Sequence, residues 1–143
     1  MAKRILTPVD TREREETIVP VVAALARDTG ATVRLLRVFP IPDRVIGNHG
    51  QTVAYSDQEM ARLTGEGLDD LRHVEAELTG VPVETVVRFG DPVEEIVLEA
   101  EAFDADLIAM AADRQGALRT ALAFGVADRV ARKAPVPTLT LRG

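Results

Sequence analysis

Short apolar runs alternate along this chain with longer stretches in which apolar residues recur every three or four positions. The two patterns have different causes. Side chains on a strand alternate faces, or are apolar throughout when both faces are covered, whereas a helix repeats its buried face every 3.6 residues. Five runs predict strands: RILTPVD (Arg4 to Asp10), ATVRLLRVF (Ala31 to Phe39), VPVETVVRFG (Val81 to Gly90), ADLIAMA (Ala105 to Ala111) and VPTLTL (Val136 to Leu141). ADLIAMA is nearly continuous in apolar residues, as expected of a strand covered on both faces.

Four stretches predict helices. Residues 13–29 place Ile18, Val21, Val22, Leu25 and Ala26 on one face, with Gly30 as a stop; Pro20 should kink this helix or mark its effective start. Residues 57–79 carry Met60, Leu63, Leu71, Val74 and Leu78, with Ser56 or Asp57 able to cap the start. Gly65 and Gly67 each weaken that helix by about 1 kcal/mol relative to Ala. Residues 92–103 open with Asp91 as N-cap and Pro92 in the first turn, and Glu94 and Glu95 suit the helix dipole. Residues 117–133 form the last predicted helix, which places Arg129, Arg132 and Lys133 near its C-terminus.

Strict β-α alternation implies a parallel sheet with right-handed crossovers and helices on both faces, in one domain spanning residues 1–143. The connection 40–56 is long for such a fold and reads as a flap or an exposed loop. In a doubly wound sheet ligands bind beyond the carboxyl ends of the strands, where the order reverses. With a strand order of 3-2-1-4-5, that point lies between Asp10, Val38 and the loop that starts at Ala111.

Composition narrows the function. Of the 143 residues 46% are apolar but only 3% aromatic, so the core is aliphatic. The net charge of −6 argues against binding nucleic acid by phosphate neutralisation. The absence of cysteine excludes disulfides, thiolate nucleophiles and zinc–cysteine sites. No apolar run is long enough to span a membrane, and the N-terminus lacks a signal-type segment, so a cytoplasmic protein is expected.

The segments ILTPVD, LLRVF, GDPVEEIVLEAEAFDADLIAM and GVADRVARKAPVPTLTLR, in this order and spacing, resemble the universal stress protein family over essentially the whole chain. The resemblance implies a flavodoxin-like α/β sandwich, a homodimer often built through the last strand, and two subclasses, one of which binds ATP. The ATP-binding subclass carries Gly, two residues, Gly, nine residues, Gly and then Ser or Thr. Aligned on VADRV and DLIAM, those four positions fall on Ala111, Arg114, Phe124 and Gly125, and all four depart from the pattern. A phosphate cradle needs inward-pointing N–H groups and bends that often require φ > 0. A Cβ there adds about 1–2 kcal/mol, and Gly125 lacks the hydroxyl. Asp10 resembles the family's acidic residue after the first strand, and Val38 the position beside the base.

These residues define a candidate degenerate nucleotide pocket: Pro8, Asp10, Val38, Ala111, Arg114, Gly125 and Val126. Asp10 is either a ligand contact or a cap of the first helix, with Thr11 as the alternative cap. Arg114, with Arg119 beside it, is either an anion contact or a solvated loop residue. His49 and His73 have no companion metal ligands, and the only serine, Ser56, has no evident triad partners. The expectation is therefore a stress-response or interaction module with weak or no ATP binding, no required cofactor, and an unidentified protein partner. The alternative is an adenine-nucleotide-binding regulator with a modified phosphate loop; a hydrolase ranks last. VPTLTL is an apolar edge that self-pairing would cover, so Val136, Thr138, Leu139 and Leu141 are the expected dimer contacts.

Overall fold

The computed structural model describes residues 3–10, 12–42, 50–112 and 125–142. Within them the chain runs β1 (Arg4–Pro8), α1 (Arg12–Thr29), β2 (Thr32–Phe39), α2 (Gly50–Glu75), β3 (Val83–Phe89), α3 (Pro92–Phe103), β4 (Leu107–Ala112), α4 (Val126–Lys133) and β5 (Thr138–Arg142). The strands form one sheet in the order β3-β2-β1-β4-β5. Every pairing is parallel, from Arg4 opposite Thr32 to Ala112 opposite Arg142. This is the parallel α/β architecture that the alternation implies and the flavodoxin-like sandwich that the resemblance implies.

Side chains alternate across the sheet into two cores. Ile5, Val33, Leu35 and Ala109 pack with Ile18 and Val22 of α1 and Leu71 and Val74 of α2. Leu6, Leu36, Ile108 and Met110 pack with Val93 and Ile96 of α3 and Ala127 and Val130 of α4. Each fully buried Leu or Ile contributes about 1.5–3 kcal/mol.

Local signals explain most boundaries. The Asp91 carboxylate accepts from the Glu94 N–H at 3.0 Å, with Pro92 in the first turn of α3. Asp104 ends α3 in the left-handed conformation, φ 58°. α1 runs through Pro20 without ending there. Gly67 lets α2 approach the sheet closely: a Cβ there would lie 2.9 Å from Phe39 Cε2.

Four sequence expectations need correction. α2 starts at Gly50, so the connection 40–56 is much shorter, and Ser56 and Asp57 lie inside the helix rather than at its cap. No proline interrupts 50–59, so helical hydrogen bonding propagates back through a segment read as loop. At its other end α2 stops at Glu75, and the turn to Val81 closes through tighter bonds such as Leu78 N–H to Glu75 C=O, 2.9 Å. The last helix starts at Val126, because Gly125 is extended (φ −66°, ψ 170°). The predicted helical residues 117–124 lie outside the described residues. Finally, β5 starts at Thr138, and Val136 packs against the α3–α4 core instead of belonging to the strand.

Candidate functional site

The sheet order sets β1 between β2 and β4, and the winding reverses between β1 and β4. A cavity of about 360 Å³ opens at that carboxyl-end crevice. β1 and its continuation supply Pro8, Val9 and Asp10; β2 supplies Leu36 and Val38; β4 supplies Met110 and Ala111. Ile18 of α1 and Pro92 and Ile96 of α3 add apolar wall. Gly125 and the first turn of α4, with Val126, Ala127 and Arg129, complete the lining.

The rim is held by backbone bonds that continue beyond the strands. The Val9 N–H donates to the Leu36 carbonyl at 2.8 Å, and the Gly90 N–H to the Phe39 carbonyl at 2.9 Å. Gly90 has φ +144°, and a Cβ there would meet Glu95 Oε2 at 2.8 Å, so the turn into α3 needs glycine. At α4, Gly125 supplies the capping carbonyl to the Arg129 N–H at 3.1 Å but no side-chain acceptor.

Of the seven sequence-predicted pocket residues, Pro8, Asp10, Val38, Ala111, Gly125 and Val126 come together around this cavity. Arg114 lies outside the described residues, as do Arg119, Phe124 and His49. His73 is on α2, with Nδ1 2.8 Å from the Asp69 carbonyl oxygen and far in sequence from the crevice segments. Sequence reasoning missed Arg129. A helix drawn from residue 117 makes Arg129 a C-terminal cation; a helix that starts at Val126 puts it in the first turn, against the cavity.

It also missed a buried charge network under α3. Glu99 is 3% exposed. It accepts from Arg34 Nη1 at 2.5 Å and Arg88 Nη1 at 2.7 Å. Arg34 also bonds Glu84, at 2.6 and 2.9 Å, and Arg88 bonds Glu95 at 2.7 Å. The Arg34 guanidinium lies 4.1 Å from the centre of the Phe103 ring. Burial works against the Arg34 charge, but its carboxylate partners outweigh it and hold the pKa above the usual value. Glu95 and Glu99 raise the Arg88 pKa likewise. A signal existed: Glu99 falls three residues after Ile96 on the inward face of α3, and Arg34 and Arg88 occupy inward strand positions. A second depression of about 280 Å³ lies beside this network, lined by Arg4, Thr32, Arg34, Glu84, Ala102 and Phe103. Its arginines are engaged: Arg4 pairs with Asp104 at 3.6 Å, and Arg34 with Glu84 and Glu99.

Among the described residues no group of three or more acidic or histidine side chains is arranged to hold a metal ion. None of their helices is long and apolar enough to cross a membrane.

Residues 1–142 match the model of the universal stress protein family. The chain belongs to the universal stress protein family. No curated protein sequence matches it. Among solved structures, hypothetical protein MJ0577 superposes with a TM-score of 0.77 at 25% identity, covering 99% of this chain and 96% of that one. A universal stress protein in complex with cAMP gives 0.63 at 16% identity, over 98% and 96% of the two chains. The Archaeoglobus fulgidus universal stress protein in complex with dAMP gives 0.59 at 18%, over 98% and 97%. The last two identities establish a shared fold alone.

Proposed function

We propose that this universal stress protein is a stress-response module whose crevice takes a mononucleotide-sized ligand and binds ATP weakly or not at all. The observation that carries the reading is the crevice itself: a cavity of about 360 Å³ at the winding reversal, mostly apolar, whose α4 lip is an extended glycine with no side chain. An aromatic base and sugar suit such walls. A triphosphate needs donors along its length, and at the two motif positions within the described residues the chain offers Ala111 in β4 and Gly125 without a hydroxyl. The cAMP and dAMP complexes of fold neighbours support a mononucleotide over an unrelated small molecule. They equally favour the second reading, an adenine-nucleotide regulator with a modified phosphate loop.

Calorimetric titration with adenosine and with Mg-ATP tests the proposal. Saturable adenosine binding with no micromolar Mg-ATP binding is expected. Micromolar Mg-ATP binding moves the protein to the second reading, and silence toward every adenine compound removes the crevice as a nucleotide site.

The proposal includes a homodimer through β5. β5 is the last strand of the sheet order. Leu139 and Leu141 pack inward against the α1–α2 core, so backbone rather than apolar side chains would make the contact. The Ile108 N–H bonds the Pro137 carbonyl at 3.0 Å, so by the alternation of a parallel ladder the backbone groups of Thr138 and Thr140 point away from β4. Thr140→Pro removes one outward N–H, which an edge position tolerates. Sedimentation should show a native dimer and a folded monomeric variant; a native monomer at high concentration refutes this part.

A further inference from the structure

The described lining of the crevice is apolar except for two ionisable side chains, Asp10 and Arg129. Arg129 stands in the first turn of α4, its own N–H bonded to the Gly125 carbonyl. Its guanidinium has no hydrogen-bond or ion-pair partner among the described residues, whereas its helix neighbours Asp128 and Arg132 each take part in an interaction. A cation at that end of a helix adds to the positive end of the peptide dipoles, a repulsion that an arriving anion reverses. The N–H groups of the same turn receive no side-chain cap from Gly125 and are open to the same anion.

Arg129 is the one cation of the described lining, an exposed side chain at its edge, in a chain of net charge −6. One phosphate is matched by a forked guanidinium that can donate two parallel hydrogen bonds. A triphosphate brings several more charges than one arginine neutralises.

We propose that Arg129 is the specificity-determining residue of the crevice, selecting a nucleoside carrying a single phosphate, open or cyclic, by pairing with that phosphate. The inference rests on the crevice being a mononucleotide-sized site. It assigns phosphate recognition to a side chain on α4 rather than to a glycine loop.

Adenosine, AMP, cAMP and ATP are titrated calorimetrically against native protein, Arg129→Gln and Arg129→Lys, with melting curves as the folding control. Native protein should bind AMP or cAMP about tenfold more tightly than adenosine, the value of one charge-assisted contact. Arg129→Gln should bring the phosphorylated ligand down to the adenosine level and leave adenosine unchanged; Arg129→Lys should recover part of the difference. Whether AMP or cAMP shows the larger loss identifies the open or the cyclic form. Equal weakening of adenosine and AMP by Arg129→Gln would overturn the proposal, since the residue would then be structural. Unchanged AMP binding would overturn it too, as would ATP binding more tightly than AMP. In the first two cases adenosine binding still stands and only Arg129 loses its role; ATP binding more tightly than AMP defeats the weak-ATP reading too, and a native protein that binds none of the four defeats the mononucleotide reading as well. If Arg129→Gln melts early, Arg129→Met keeps the aliphatic stem and gives the same readout.

Discussion

Beneath the middle of α3, Glu99 is buried and accepts from two arginines. At the N-terminus of the same helix, Pro92 and Ile96 wall a cavity whose one cation among the described lining residues, Arg129, has no protein partner there. The first arrangement is closed: Glu84, Arg34, Glu99, Arg88 and Glu95 satisfy one another across β2, β3 and α3. The second is open and presents its charge to whatever enters. Titratable clusters are often read as functional sites, yet here the denser cluster fixes a helix and the sparser one is the proposed ligand site. What separates them is whether each polar group already has its partner.

The comparison breaks first at Glu99. Glu99→Ala leaves two part-buried arginines short of an acceptor, and their side chains are only 22% and 29% exposed. We expect a loss of about 2–4 kcal/mol in urea unfolding, somewhat below the ~3–5 kcal/mol of a fully buried pair because both arginines reach solvent. A loss under about 0.5 kcal/mol would mean that the network is ornamental.

The crevice should respond in the opposite way. Val38→Phe puts bulk into the cavity, so adenosine affinity should fall at least about tenfold while the unfolding midpoint moves little. Equal changes in both measurements would erase the distinction between the two regions.

Smaller effects sharpen the helix that joins them. Asp91→Ala removes the carboxylate that caps α3 and should cost about 1 kcal/mol, read from thermal melting. Gly65→Ala lies away from both regions, with nothing within 4 Å of the added Cβ. It should stabilise α2 by about 0.5–1 kcal/mol with no change in ligand affinity.

Most of the fold was legible because the local signals agree with one another. Asp91–Pro92 starts α3, Gly30 ends α1, and the apolar run to Ala111 needs cover on both faces. Six of the seven predicted pocket residues converge because parallel β-α alternation puts the carboxyl ends of β1 and β4 side by side. The errors share one cause: boundaries. Hydrophobic periodicity shows where a helix buries its face but not where hydrogen bonding begins, so α2 gained residues 50–56 and the last helix proves to start at Val126. That shift moved Arg129 from a helix C-terminus to the mouth of the crevice. Glu99 escaped notice for another reason. A single glutamate on an inward helical face reads as a patterning defect until Arg34 and Arg88, distant in sequence, are known to meet it.

The central proposal is that the crevice accepts a mononucleotide and binds ATP weakly or not at all. Side-by-side calorimetric titration of the native protein with AMP and with Mg-ATP tests it most directly. Saturable AMP binding, with Mg-ATP weaker and not saturating in the micromolar range, is the predicted result. Mg-ATP binding at micromolar concentration and more tightly than AMP would contradict it.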